Sequence, residues 1–344
     1  MMSKNALRLR LKKDEYELVQ QHRALKEECD AKGIPFESVN HYWHKGKSFS
    51  LHVKNENIQL TWHDIKDTLI EEMSQYAPKY EPIKRKSTKG EKHCLVIDPA
   101  DVHIGKLSTS FETGEEYNSQ IAVQRVIDGV EGILEKASGF NIDKIVLVGG
   151  NDILHIDTPR RTTTSGTPQD TDGMWYDNFL FAKQLYVDII EKLVQVADVH
   201  FIYNPSNHDY TNGFFLADVI KTWFRSLPNV TFDCSISHRK YFQYGSNLIG
   251  TTHGDGAKSQ DLPLLMAQEA AESWANTKHR YVYTHHVHHK TSKDYIGVTV
   301  ESLRSPSGTD SWHHRNGYQH NPKAIEGYIH HPEHGQIARL THIF

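Results

Sequence analysis

From Leu95 onward the chain alternates short apolar runs with stretches in which apolar residues recur every three or four positions. The stretch Leu95–Lys106 reads L-V-I-D-P-A-D-V-H-I-G-K, an apolar run that suits a buried strand and breaks into Asp101-x-His103. Within Asn118–Ala137, Ile121, Val126, Val130, Ile133 and Ala137 share one helical face. Lys144–Val148 then predicts a buried strand, Asn178–Val196 an amphipathic helix, Val199–Tyr203 a strand and Phe214–Ser226 a helix. Tyr241–Thr252 reads as a hairpin and Arg280–Thr284 as a strand, and Ala324–Phe344 as two strands around Pro332-Glu333-His334-Gly335. The alternation predicts an α/β sandwich of mixed β-sheets flanked by helices, with active groups at strand ends.

Residues 1–76 follow a different pattern and predict a small N-terminal α+β module. Leu18, His22, Leu25 and Cys29 hold helical spacing within Asp14–Ala31, and Gly33-Ile34-Pro35 stops that helix. His41–Val53 alternates around Lys45-Gly46-Lys47 as a hairpin would, and Thr61-x-x-Asp64 resembles a capping box that opens a helix to Tyr76. Helix, hairpin, helix is compatible with a winged-helix-like module that binds DNA, binds a protein partner or pairs with a second copy. Residues 77–92, with K-R-K-S-T-K-G-E-K, read as a basic linker, either a solvated tether or a track for a phosphate backbone. The main domain then covers residues 93–344.

Composition narrows the class. Apolar residues make up 38% of the chain and charged residues 24%, as in a soluble globular protein. No apolar run approaches the ~18 residues of a membrane span, and M-M-S-K-N-A-L-R-L-R contains no secretory h-region. Cys29, Cys94 and Cys234 are too dispersed for a disulfide framework or a zinc knuckle, so a reducing cytoplasm is expected. A formal charge of −4 does not advertise a polyanion partner, whereas 24 histidines are unusual. Histidine is a common metal ligand and titrates near neutral pH, so the positions of these residues matter more than their number.

Those positions are informative. Asp101 and His103 follow the first strand; G-G-N-D-I-L-H, with Asp152 and His155, follows the second; N-P-S-N-H-D, with Asn207, His208 and Asp209, follows the third. His253 and Asp255 come after Leu248–Thr252, and T-H-H-V-H-H, residues 284–289, after Tyr281–Tyr283. Oxygen and imidazole donors without cysteine suit two divalent ions such as Mn²⁺, Fe²⁺ or Zn²⁺, while Mg²⁺ would use fewer histidines. Asp98 lacks a histidine two places on, and Asp255 reads as a brace for the loop after His253. His285 and His289 leave the register of the last motif open. His313, His314, His330 and His331 read as surface residues, although Arg304 and Trp312–His314 fall where they could line a groove.

The ordered series D-x-H, N-D, N-H-D, H and H-x-H resembles the calcineurin-like metallophosphoesterase superfamily over residues 95–290. The resemblance implies a four-layer sandwich and a two-metal site. Asp101, His103 and His288 would hold the first metal, Asp152 would bridge, and Asn207, His253 and His286 would hold the second. A-D-V-H-I-G-K, His155 three residues past Asp152, and E-S-L-R-S-P-S-G (301–308) are similar to the SbcD-type DNA-repair nucleases. Ser206, His285 and Asn151 depart from that pattern, and the cap domain usual after the last motif has no counterpart.

In such a site the ions clamp a phosphate ester and acidify a water that attacks phosphorus in line. His208 would protonate the leaving oxygen, His155 would orient the phosphate or His208, and Asp209 would hold the His208 ring. Arg160 and Arg161, in the long polar loop after His155, and Arg304 are candidate phosphate contacts. The function expected is a Mn²⁺-dependent DNA nuclease or exonuclease acting in repair. A phosphomonoesterase acting on a protein or small molecule, and a non-catalytic nucleic-acid-binding protein with structural metals, are the competing readings.

Overall fold

The computed structural model describes residues 23–35, 39, 41–45, 50–54, 70, 80–81, 83–85 and 90–344. The chain divides into two units, Met1–Thr68 and Leu69–Phe344. In the first, residues 23–31 are helical and the chain turns at Gly33, whose φ of 65° is one that glycine adopts freely. Strands β1 (His41–Lys45) and β2 (Ser50–Lys54) pair antiparallel, with His41 opposite Lys54. The helix expected from Thr61 to Tyr76 lies, except for Ile70, outside the described residues.

The second unit is built on two mixed sheets. The larger has the order β13-β12-β3-β4-β5-β6. In it β3 (Lys92–Asp98), β4 (Asn141–Gly150), β5 (Asp198–Asn204) and β6 (Val230–Asp233) run parallel. Of the closing hairpin, β12 (Ala324–His331) pairs antiparallel with β3, and β13 (Gly335–Ile343) pairs antiparallel with β12 at the sheet edge. The smaller sheet has the order β10-β11-β9-β8-β7, from β7 (Arg239–Tyr244), β8 (Asn247–Thr252), β9 (His279–Thr284), β10 (Thr291–Tyr295) and β11 (Val298–Ser302). Cys94, Val96, Val146, Val148, Ile202 and Tyr328 of the first sheet pack with Ile249 and Tyr283 of the second in one buried cluster. The far side of the smaller sheet buries Leu248, Val282 and Val300 against Leu262 and Met266 of the helix Leu262–Glu269.

Helices Ser119–Ala137, Trp175–Leu193 and Tyr210–Trp223 accompany the larger sheet. Asn118 caps the first by accepting from Ile121 N at 2.9 Å, so the helix begins at Ser119, one residue after the start of the expected stretch. The third starts at Tyr210, four residues ahead of the stripe at Phe214. Its free N–H groups at Thr211 and Asn212 donate to the Asp157 carboxylate, 2.8 Å from Asn212 N, and that cap comes from a distant loop. Near the start of this unit Tyr80 stacks on Phe224 at 5.6 Å, and Arg85 pairs with Asp198 at 2.7 Å.

Strands β6, β10 and β11 are not among the expected elements: V-T-F-D and V-T-V-E alternate, but over only four residues each. The β10 segment T-S-K-D-Y is exposed along most of its length, as an edge strand with no core face can be. His330 and His331, expected at the surface, are instead buried. Strand β12 lies between β3 and β13 with every residue covered, so neither face offers solvent.

Candidate metal centre

Every predicted ligand sits just beyond the carboxyl end of a strand. Asp101 and His103 follow β3, Asp152 follows β4, Asn207 follows β5, His253 follows β8, and His286 and His288 follow β9. In open α/β sheets that edge is where ligands bind, because the strands end in irregular backbone whose side chains can converge. The loops after β3 and β4 zip together: Asp101 N donates to Asn151 O, His103 N to Asp152 O and Ile104 N to Ile153 O, all at 2.8–2.9 Å. Gly150 permits this crossing. It has φ 76°, and a Cβ there would collide with the Asn204 carbonyl.

Asp101, His103, Asp152, His286 and His288 all have positive φ between 51° and 71°. Left-handed backbone costs a residue with a Cβ about 1–2 kcal/mol. Strain repeated at candidate ligands, and held by surrounding hydrogen bonds, is the mark of a preorganised site.

The side chains form two groups joined by Asp152. In one, His103 Nε2 and His288 Nε2 face each other at 3.3 Å, and Asp101 Oδ1 is 3.5 Å from His288 Nε2. In the other, His253 Nε2 lies 2.9 Å from Asn207 Oδ1, and the His253 and His286 rings are 5.1 Å apart. Asp152 Oδ2 stands between them, 3.2 Å from His253 Nε2 and 4.0 Å from His103 Nε2. Ligand atoms of Asp101, His103 and His288, and those of Asp152, His253 and His286, lie within 4.8 Å of one another.

The donor set fits divalent cations. Asp152 Oδ2 is buried and makes no well-formed hydrogen bond, with His253 Nε2 its close neighbour at 3.2 Å, a costly state for a carboxylate that a cation would relieve. Burial opposes ionisation of Asp101 and Asp152, but the facing rings, His288 and His253 respectively, override it and hold both carboxyls below their ordinary value. Burial pushes His253 down, yet the Asp152 charge prevails and raises it to about 9. Burial, reinforced by the neighbouring His208, holds the imidazoles of His103 and His155 well below their usual value, so both rings are neutral, the form that ligates metals.

The two loops bearing His208 and His286 are hung on the carboxylates. His286 N donates to Asp101 Oδ2 at 3.0 Å, and His208 N to Asp152 Oδ1 at 2.9 Å. The His208 ring lies 4.6 Å from the His103 ring and stacks on His155 at 5.3 Å. Its Nδ1 meets the His155 carbonyl at 2.9 Å. Asp209, expected to hold that ring, does not. Its carboxylate takes the Ser206 hydroxyl at 2.5 Å and Leu154 N at 2.9 Å, bracing the turn that follows β5. Burial, then the Asp152 charge, raises its pKa.

The other sequence candidates separate. Asp98 and His285, set aside as ligands, form a buried pair at 2.9 Å behind the site. Asp255 and His289 are exposed. Arg160 and Arg161 are exposed on the loop after His155, whereas Arg304 is committed to the buried Glu326 at 2.7 Å and is not held out to a phosphate. The 301–308 segment supports the site from behind, with Ser305 Oγ donating to Asp101 O at 2.7 Å.

One group escaped the sequence reading. Lys106 is 1% exposed and pairs with Asp310 at 2.9 Å. Asp310 also accepts from His313 Nδ1 at 2.7 Å, and the His313 ring stacks on His288 at 5.0 Å and 12°. His313 is therefore half-buried against a candidate ligand and not a free surface residue. The only local signal was Lys106 ending the A-D-V-H-I-G-K stretch.

The sequence matches no protein-family model and no curated protein. Among solved structures it is similar to an archaeal phosphodiesterase, at 9% identity and a TM-score of 0.34, covering 73% of this chain and 99% of that one. Vps29 from Entamoeba histolytica complexed with zinc gives 13% identity and a TM-score of 0.31, over 72% of this chain and 98% of that one. A predicted phosphoesterase from Streptococcus pneumoniae gives 12% identity and a TM-score of 0.28, over 73% and 97%. At scores this low the site has to be read from its own geometry. No helix among the described residues is long and apolar enough to cross a membrane.

Proposed function

We propose that the chain is a cytoplasmic, dinuclear-metal-dependent phosphodiesterase acting on nucleic acid, with DNA the favoured substrate and Mn²⁺ the favoured ion. The fold that goes with this reading is the four-layer metallophosphoesterase sandwich. The observation that carries it is the buried Asp152 Oδ2 standing between two acid–imidazole groups, with His208 beside them. Asp101, His103 and His288 would hold one ion, Asn207, His253 and His286 the other, and Asp152 both. Two bound ions supply charge neutralisation for a phosphate ester and acidify a water.

The chain's own part is positioning and proton transfer. A carbonyl only accepts, so the His155 carbonyl places the hydrogen of His208 on Nδ1. This leaves Nε2 to face the substrate, and in the imidazolium it carries the proton that the leaving oxygen needs. His103 and His155 are 2% exposed while His208 is half-exposed, so of the three clustered rings His208 is the one a substrate can reach. His155 acts as a positioning residue through its carbonyl and its stacked ring.

The test is metal-supplemented hydrolysis of single- and double-stranded DNA beside p-nitrophenyl phosphate, with Mn²⁺, Zn²⁺ and Mg²⁺ in turn. DNA cleavage that chelation abolishes supports the proposal. Turnover of the monoester alone replaces it with a phosphomonoesterase, and metal binding without any turnover replaces it with a non-catalytic binding protein.

A further inference from the structure

The segment that brings His313 onto His288 also carries two exposed aromatic residues, Trp312 and Tyr318. Helix Ser311–Arg315 is short, yet it is fixed at both ends. At its start Asp310 accepts from His313 N at 2.8 Å while holding Lys106. At its end Gly317, with φ 76°, sends its N–H to His314 O, and Tyr318 N returns to His313 O at 2.9 Å. That pair of reversed bonds turns the chain back on itself and sets Tyr318 beside Trp312. Their ring centroids are 5.7 Å apart with an interplanar angle of 36°, and the residues are 60% and 61% exposed.

An exposed tryptophan–tyrosine pair has no folding reason to be held this firmly. Its position supplies one. Trp312 lies one ring step of 5.1 Å from His313, which lies one step of 5.0 Å from His288. A phosphodiester at the metal centre would put the base of an adjoining nucleotide within comparable reach. His314 and Arg315 are exposed on the same turn, which suits a neighbouring phosphate. Every base has a π-face, and stacking on aromatic side chains tolerates any sequence.

We infer that Trp312 and Tyr318 form a stacking platform for an unpaired nucleobase flanking the scissile phosphate, which makes single-stranded nucleic acid or a frayed end the substrate class. The inference deepens the phosphodiesterase reading and rests on it only for where the phosphate sits. The aromatic faces point to a base because the ring chain leads to the site, whereas a protein partner would have no reason to be directed there.

The test is equilibrium binding to metal-free protein, so that it does not depend on turnover. A fluorophore-labelled oligothymidylate is compared with an abasic backbone of equal length and charge. The wild type binds the oligothymidylate about tenfold more tightly. Trp312→Ala removes most of that preference while leaving abasic binding unchanged, Trp312→Phe retains it, and Tyr318→Ala weakens it. Thermal melts of the variants match the wild type, since both rings are exposed. No preference for bases in the wild type, or a preference untouched by Trp312→Ala, overturns the inference and hands the patch to a protein partner. Failure of DNA hydrolysis with the base preference intact overturns the proposed function alone.

Discussion

The backbone N–H of His208 donates to Asp152 Oδ1 at 2.9 Å, so the loop that presents the His208 ring hangs on the carboxylate that stands between the two acid–imidazole groups. The other oxygen of that carboxylate makes no well-formed hydrogen bond and would be the one to meet a cation. On the proposed function, metal binding and placement of His208 would be one structural event. Asp152→Asn keeps an acceptor for His208 N but removes the bridging charge. We expect a loss of at least about 100-fold in activity, of the order seen when groups that tune a metal are altered, together with fewer ions bound per chain by metal analysis. Full occupancy with normal activity would remove Asp152 from the centre.

His208→Gln separates proton transfer from metal binding. General-acid loss lowers kcat by about 10²–10⁴-fold, with metal content unchanged. The deficit shrinks on a p-nitrophenyl ester, whose leaving oxygen needs no proton. An equal loss on both kinds of ester would mean that His208 positions the substrate and does not protonate it.

Lys106 is buried, and its pair with the mostly covered Asp310 ties the Trp312 helix to the loop after β3. Asp310→Ala leaves the Lys106 charge without its partner. Breaking one side of a buried pair costs about 3–5 kcal/mol, to be read from urea unfolding. Lys106→Met combined with Asp310→Leu recovers most of it, because two apolar side chains need no partner. A double variant as unstable as Asp310→Ala would show that the charge pair is not the source.

His288→Gly and His288→Ala both remove a donor, but position 288 has φ 55°. Glycine accepts that backbone and alanine does not, so the metal-free glycine variant should be more stable by about 1 kcal/mol. Equal stabilities would mean that the loop relaxes once the imidazole is gone.

His330 gives the fold a pH dependence of its own. Burial pushes its pKa down to about 3, against about 6.5 in an unfolded chain. Between those values the unfolded chain takes a proton that the fold refuses. Stability is therefore retained above about pH 6.5, falls as pH drops, and the loss is complete below about pH 3. Its Nε2 meets Tyr283 OH at 2.9 Å, and that hydroxyl keeps Gln336 Oε1 at 3.1 Å as a second partner. His330→Leu should flatten the difference in unfolding free energy between pH 7 and pH 4.5, and an unchanged difference would place the acid sensitivity elsewhere.

The sequence by itself determined where the chemistry sits along the chain. A buried strand must be an apolar run, and a metal ligand must be one of a few residue types. An apolar run ending in Asp, His or Asn is therefore readable without knowing any partner, and Asp101, His103, Asp152, Asn207, His253, His286 and His288 are brought together by the fold. What tertiary structure alone decided is which polar groups face one another. Arg304 is taken by Glu326, Asp209 by Ser206 and Leu154 N, and Asp157 caps a helix over fifty residues away. Lys106 reaches Asp310, and His313 reaches His288, through the return of the chain after β11. Periodicity records only whether a residue is covered. The choice of partner for a buried charge depends on distances set by two sheets closing on each other, and no window of local sequence contains them.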